Sequence, residues 1–358
     1  MKIVLSGGGT LGPVVPLLAI AEEYKKFDPD VEYLWIGTRT GPERSLVEGK
    51  GIPFVPIGAA KWRRYFSLLN FVDIFKLFFA FFQAIYILAK EKPDLLISVG
   101  GYVSVPVHLA GSFLAMPKWV HQQDARIGLA NKMMFWSAQK ITVALAETAN
   151  RIPGGKAEWI GNPTRELKVA NIAESRKMFG IPEGKPVIFA LGGGTGSSTI
   201  NQLILGALPQ LPADWHVIHL VGKERPKELS ERASGIFPNY HVYDFFVDEM
   251  KDAYAIADVV IARAGFGTLS ELAVLAKPAL IMPMFGTHQE ENARIFAGGG
   301  GIVMLDSAVS GLKLAQILKD IIPDKKLLKK TGDKLHEMLP KTDPAKIRDI
   351  IKDLTKEK

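Results

Sequence analysis

An α/β architecture of two doubly wound, parallel-sheet domains is what this sequence predicts, and three observations predict it. Short apolar runs alternate with stretches of helical length and period along the whole chain, the pattern of strand–helix–strand units. A strand running into a Gly-rich turn and then a helix occurs twice, as VLSGGGTLG at the start and FALGGGTGS at 189–197, with the GGGT tetrads 185 residues apart. The 358 residues are enough for two domains, at roughly 100–200 residues each.

The elements follow in order. KIVLS at 2–6 is a short apolar run that stops at glycine, hence a first strand, and 14–27 has helical period. Strands are predicted at 32–36, 95–99, 118–121 and 140–144, with helices over 66–91 and 127–138 between them. IGNPTRE at 160–166 has turn character and a proline that discourages helix, so the first domain is placed at 1–163 and the second at 164–340. The second domain reads as strands at 186–191, 216–221, 240–245, 258–262, 279–282 and 302–305, with helices near 200–209, 250–257, 268–276 and 289–297. The charged, helical tail 341–358 either caps the second domain or crosses back to the first.

With 47% hydrophobic and 23% charged residues the chain is too apolar for disorder. It has no cysteine, which excludes disulfides, thiolate metal sites and thiol nucleophiles. The net charge is +7, and residues 1–165 hold 19 Lys and Arg against 13 Asp and Glu, so nearly all the excess lies there. A one-sided basic field points to a polyanionic partner: nucleic acid, anionic lipid or a phosphorylated substrate. The closest candidate for a spanning helix, LFFAFFQAIYILA at 77–89, has 13 uncharged residues, short of the roughly 18 such a helix needs. A cytoplasmic protein is expected.

In open α/β sheets ligands bind beyond the carboxyl ends of the strands, so the motifs at those ends carry the functional reading. Gly7-Gly8-Gly9-Thr10-Leu11-Gly12-Pro13 matches G-x-G-x-x-G between a strand and a helix and suits a phosphate at the helix start. The second predicted strand ends in LWIGTRT without the acid that would hold a dinucleotide's ribose, which counts against NAD. Gly192 to Ser198, with Gly194 inside, offers backbone N–H groups and hydroxyls as an anion nest, and no GK[ST] follows it.

The most informative stretch is IARAGFGTLSEL at 261–272. Its glycines permit a tight turn, and Thr268 and Ser270 are expected to cap the new helix. Glu271, placed in the first turn, can accept two hydrogen bonds from vicinal hydroxyls such as a ribose carries. Gln289 has a donor and an acceptor suited to sugar hydroxyls. His288 and Glu291 lack a second histidine four residues away, so no metal site is expected. In the basic half, Gly100-Gly101-Tyr102 follows a strand, and His121, Asp124 and Arg126 share one predicted loop.

Seven of the 19 phenylalanines fall within 66–82, and Phe71, Phe75, Phe78 and Phe82 form a single helical stripe. Lys61-Trp62-Arg63-Arg64-Tyr65 precedes it. A basic, aromatic run leading into a broad apolar helix suits an anionic membrane surface; the plainer alternative is a helix buried in the core.

Taken together these motifs resemble the MurG-type glycosyltransferases, over roughly residues 1–340. The resemblance is carried by GGGTxG, GGYVSxP at 100–106, HxQ with GLxNK at 121–132, GNPxR at 161–165, the INQ run near 200, IARAGxxTxxE at 261–271 and HQxxNA at 288–293. It implies two Rossmann-like domains facing each other across a cleft, the GT-B arrangement. It also implies inverting transfer of N-acetylglucosamine from UDP to a polyprenyl-pyrophosphate-linked sugar, lipid I, with no metal or cofactor and no nucleic acid. The work would be done peripherally at the cytoplasmic face of the membrane, as a step of peptidoglycan synthesis. A different lipid-linked acceptor, or donor binding without transfer, are the alternatives.

By resemblance, Glu271 binds ribose, the backbone from Phe266 through Gly267, Thr268 and Leu269 to Ser270 holds pyrophosphate, and Val247 contacts uracil. Gln289 binds the donor sugar, with Arg165, Gly194, Thr10, Leu11 and Gly12 nearby. Gly101, Tyr102, His121 and Asn131 line the acceptor side, and Trp62, Arg63, Arg64, Phe71, Phe75, Phe78 and Phe82 meet the membrane. Members typically read GGTGGH where this chain has GGTLGP, and HEQN where it has His121-Gln122-Gln123-Asp124. Pro13 thus stands where a histidine proposed for catalysis is found. Asp124, assisted by His121, is expected to serve as the base, and Asp124 is also counted among the donor-binding residues.

Overall fold

The computed structural model describes residues 1–59, 69–194, 196–222, 235–246 and 248–356, with side chains throughout except at 69–74. The chain divides into two compact units, Met1–Arg165 with Lys341–Lys358, and Glu166–Pro340.

The first unit is built on a fully parallel seven-stranded sheet: β1 (Lys2–Ser6), β2 (Glu32–Thr38), β3 (Phe54–Ile57), β4 (Leu95–Ser98), β5 (Lys118–Gln122), β6 (Lys140–Val143) and β7 (Ala157–Trp159). Their order is β3-β2-β1-β4-β5-β6-β7. The central strands are buried on both faces, so they read as continuous apolar runs. The two edge strands were not anticipated. β3 is four residues with a proline, β7 only three, and proline is tolerated at an edge because one side of the strand needs no donor.

Side chains alternate across this sheet as the strand period requires. Ile3 and Leu5 face one layer with Leu17 and Ile20, whereas Val4 faces the other with Ala80, Ala84 and Leu88. The last helix, Pro344–Lys356, lies on the first layer, where Ile347, Ile350 and Ile351 are buried beside the helix Val14–Lys25.

The second unit carries six parallel strands: β8 (Val187–Leu191), β9 (His216–Leu220), β10 (Tyr240–Tyr243), β11 (Val259–Ala262), β12 (Ala279–Ile281) and β13 (Val303–Met304). Their order is β10-β9-β8-β11-β12-β13. In each sheet the chain steps outward on one side and then restarts on the other. The reversal falls between β1 and β4 in the first unit and between β8 and β11 in the second. Loops leaving two such neighbours diverge and leave a crevice at the carboxyl end of the sheet. All four glycine-bearing motifs sit at these two reversals.

Candidate functional site

In the first unit the loops after β1 and β4 are packed into one another. Gly101 has φ +92°, and a Cβ there would lie 2.8 Å from the Gly8 carbonyl oxygen. Ser104 Oγ donates to Ser6 O (2.8 Å), which anchors the second loop to the end of β1. The Tyr102 ring stands over Gly9, where a Cβ would approach Cε1 to 2.5 Å. Thr10 and Gly12 are exposed and Leu11 is half-buried at the rim. The Gly9 N–H is donated to the Glu43 carboxylate (3.2 Å). That donor is therefore engaged within the protein.

The loop after β5 adjoins them. The Gln123 side-chain nitrogen lies 3.5 Å from the position of a Cβ on Gly12, and Asn131 Oδ1 lies 3.2 Å from one on Gly100. Asn131 Nδ2 donates to Gln122 Oε1 (2.6 Å). Gln123 and Asn131 are buried, and Gln123 Oε1 and Asn131 Oδ1 have no hydrogen-bond partner among the described residues. Two buried acceptors beside the glycine loops are suited to hydroxyl or amide donors of a ligand. Asp124 is half-buried, and the loop carrying it is pinned because Gln122 Nε2 donates to Asp124 O (2.7 Å) and to Arg126 O (3.3 Å).

His121 is placed differently from the expectation. It lies within β5, fully buried, with Nδ1 2.9 Å from Thr142 Oγ1 and Nε2 3.0 Å from Asn162 Oδ1. Burial pushes its pKa down to about 4, the Asn162 bond working weakly the other way. Both ring nitrogens are thus occupied inside the sheet. This corrects its assignment as a group that lines the acceptor side and assists a base.

In the second unit the helix Phe266–Val274 starts directly after β11. Its N-cap is Gly265, with no side-chain cap, so its first N–H groups are available to an anion. Thr268 and Ser270 therefore lie inside the helix rather than at its cap, and Ser270 Oγ donates back to Phe266 O (2.8 Å). Glu271 falls in the second turn, not the first; it is buried, and Oε2 accepts a hydrogen bond from Tyr254 Oη (3.0 Å). Arg263 joins the loops after β8, β11 and β12: Nε donates to Ser197 Oγ (3.0 Å), and Nη1 to the carbonyls of Met282 (3.2 Å) and Pro283 (3.0 Å). Burial holds its pKa below the ordinary arginine value. Ser197 also caps the helix Ser198–Ala207, and Gly194 is exposed in the same loop.

Gln289 opens the helix His288–Gly298, its Oε1 accepting from Met284 N (3.1 Å). Buried Asn292 on that helix donates to Ala264 O (3.2 Å) and so ties it to the Arg263–Gly265 turn. Among the described residues no group of His, Asp or Glu is arranged to hold a metal ion.

Residues 3–143 match the glycosyltransferase family 28 N-terminal domain, and 187–353 match its C-terminal domain. The chain belongs to glycosyltransferase family 28. A relative from Lachnospira eligens, named UDP-N-acetylglucosamine–N-acetylmuramyl-(pentapeptide) pyrophosphoryl-undecaprenol N-acetylglucosamine transferase, is 39% identical over 79% of this chain and 78% of its own. One of the same name from Clostridium perfringens is 34% identical over 89% of this chain and 90% of its own. Among solved structures, MurG of Acinetobacter baumannii superposes with a TM-score of 0.73 at 24% identity, covering 98% of this chain and 99% of that one. The two parallel-sheet domains are those of the GT-B glycosyltransferases.

Within this family 28 chain, the loops after β8, β11 and β12 bring Gly194, Phe266–Glu271 and Gln289 to one end of one sheet. The loops after β1, β4 and β5 do the same for Thr10–Gly12, Gly101, Tyr102, Asp124 and Asn131. Arg165 is half-buried at the end of the first unit. Val247, Trp62, Arg63 and Arg64, and the side chain of Phe71, lie outside the described residues. Sequence reasoning missed Glu43, Gln123, Arg263, Tyr254 and Asn292. Gln123, Arg263 and Asn292 stood inside motifs without a role, and Glu43 and Tyr254 carried no local signal.

The aromatic helix, Leu69–Glu91, is not buried on its phenylalanine stripe. Phe75 is 65% exposed, Phe78 56%, Phe79 68% and Phe82 50%. Tyr86 and Phe113 are exposed as well. Phe78 packs edge-on against Phe82 at 4.8 Å between centroids, and Phe81 against Phe113 at 6.4 Å. Ala80, Ala84 and Leu88 supply the buried face instead. Among the described residues no helix is long and apolar enough to cross a membrane.

Proposed function

We propose that this family 28 transferase moves N-acetylglucosamine from UDP-N-acetylglucosamine to lipid I, with inversion at the anomeric carbon, forming lipid II in peptidoglycan synthesis. The observation that carries the reading is the 39% identity over 79% of the chain to a relative of that name. The second unit supports the donor half: an uncapped helix start beside a buried carboxylate can receive a pyrophosphate and its ribose together.

In this reading Glu271 accepts from the ribose hydroxyls, and the N–H groups from Phe266 to Ser270 hold the pyrophosphate. Val247 meets uracil through its backbone, and Gln289 holds the sugar. An acceptor hydroxyl attacks the anomeric carbon as the bond to UDP breaks, and Asp124 takes the hydroxyl proton. The negative charge growing on UDP is stabilised by the glycine-loop and helix-start donors and by Arg165. Thr10, Leu11, Gly12 and Gly194 stand near the donor; Gly101, Tyr102 and Asn131 hold the acceptor. Exposed Phe75, Phe78 and Phe82, with Trp62, Arg63, Arg64 and Phe71, rest on the anionic cytoplasmic face of the membrane, where the lipid-linked acceptor lies.

The test is transfer of radiolabelled N-acetylglucosamine from its UDP conjugate to a lipid I analogue, with the product recovered in the lipid phase. Lipid-linked label with inverted configuration is the expected result. Transfer only to a different lipid acceptor would overturn the acceptor assignment. UDP-sugar binding with no transfer would overturn the enzyme.

A further inference from the structure

Glu43 opens the short helix after β2 and is fully buried. Its carboxylate accepts from Thr38 N (2.8 Å), Thr38 Oγ1 (2.5 Å) and Gly9 N (3.2 Å). Thr38 Oγ1 in turn accepts from Gly41 N (2.9 Å). A Cβ on Gly8 would enter the carboxylate, so the turn after β1 is moulded around it. The Tyr102 ring covers Gly9, the residue whose N–H the carboxylate accepts. Burial raises the Tyr102 pKa, and the Glu43 charge raises it further.

A buried carboxylate is a costly way to fill space, since an apolar residue of similar volume is often as stable or more so. Here the donors facing it are neutral and come from the ends of two strands, and the glycine it holds lies under a ring carried by the loop after a third. We propose that Glu43 is a positioning residue: it fixes the Gly8–Gly9 turn and, through Gly9, the seat of the Tyr102 ring against the acceptor. The proposal rests on the reading that Tyr102 meets the acceptor.

A double-mutant cycle with E43Q and Y102F, using UDP-N-acetylglucosamine and a lipid I analogue, tests it. Glutamine keeps the size of the side chain but turns an N–H toward one of the three donors. E43Q is expected to lower kcat/KM for the acceptor by about 10- to 100-fold, as a small misplacement of a contact group does. The donor KM should stay unchanged, and E43Q should cost little more in the Y102F background. No loss in E43Q, or an equal loss in both backgrounds, overturns the proposal, because independent structural effects add.

A second measurement does not depend on the acceptor. With tyrosine labelled at Cζ and the Tyr102 resonance assigned from Y102F, E43Q should move the Tyr102 titration to lower pH. An unmoved titration overturns the proposal. If Y102F leaves acceptor kinetics unchanged, the acceptor role of Tyr102 falls, and the tyrosine titration alone then decides whether Glu43 and Tyr102 are linked. Should E43Q fail to fold, T38V removes the hydroxyl that donates to the carboxylate and is read in the same double-mutant cycle with Y102F.

Discussion

Tyr254 Oη donates a hydrogen bond to Glu271 Oε2 at 3.0 Å, between two side chains that are both buried. The phenol comes from the helix before β11 and the carboxylate from the helix after it, so the strand sets their separation. A carboxylate oriented in this way meets a ribose without first having to be ordered. Tyr254→Phe keeps the ring and deletes the donor. A hydrogen bond to a charged group contributes about 1.5–3 kcal/mol, so the KM for UDP-N-acetylglucosamine should rise about 10-fold or more. The acceptor KM should hold. Steady-state kinetics and calorimetry with UDP check this, and an unchanged donor KM would remove Glu271 from the ribose.

The burial of three imidazoles predicts an acid limb in stability. Burial lowers His121 to about 4, and His108 and His219 to about 3. The unfolded chain protonates these groups near 6.5, so below that pH it binds more protons than the folded chain. Their stabilising contribution is complete above about 6.5 and is lost as the pH falls through the folded values. His121→Gln should flatten the dependence of the unfolding free energy on pH between about 6.5 and 4, by up to about 1.4 kcal/mol per pH unit. Trp119 shares Thr142 with His121, through Nε1 at 2.8 Å, which makes tryptophan fluorescence in urea a suitable probe. Parallel pH profiles for the two proteins would contradict the buried-histidine account.

The same histidine marks where the sequence ceased to be legible. Apolar runs disclosed the central strands because both faces of those strands are buried, and strand–glycine–helix junctions disclosed the loops at both sheet reversals. β3 and β7 escaped because a short edge strand needs neither a long run nor strict alternation. His121 ends the predicted strand 118–121 and is expected to face a shared loop with Asp124, but β5 continues through Gln122 and encloses it. Thr268 and Ser270 were read as caps because hydroxyls favour that position; the helix starts earlier, at a glycine whose extended backbone needs no side chain. Glu43 and Tyr254 act on groups 34 and 17 residues away, and no local pattern encodes such a meeting.

Asp124 stands in for the missing base in the proposed transfer, since Pro13 has no proton to take or give. Asp124→Asn removes the basic oxygen with little change of shape. Turnover should fall by about 10²–10⁴-fold, while UDP-N-acetylglucosamine still binds, because the helix start and Glu271 proposed to hold its pyrophosphate and ribose belong to the other unit. Single-turnover assays, with calorimetry on the donor, separate the two effects. Near-normal turnover would assign the proton to another group.

Four phenylalanines at least half exposed on one helix, Phe75, Phe78, Phe79 and Phe82, leave apolar surface in water that an acyl boundary would cover. Burying one such ring contributes about 1.5–3 kcal/mol. Replacing Phe78 and Phe82 together by serine should therefore weaken binding to anionic phosphatidylglycerol vesicles by at least about 100-fold. Because the rings already face solvent, the urea midpoint should barely move, which distinguishes a surface role from a core one. Neutralising Lys61, Arg63 and Arg64 should act differently: binding should fall most at low salt, and the salt dependence should flatten, since attraction between charges across water is screened over about 10 Å at 0.1 M. Co-sedimentation at two ionic strengths reads both sets of variants. If the double serine variant sediments with vesicles as the parent does, these rings are not the membrane contact. A large drop in the urea midpoint would instead return the helix to the core.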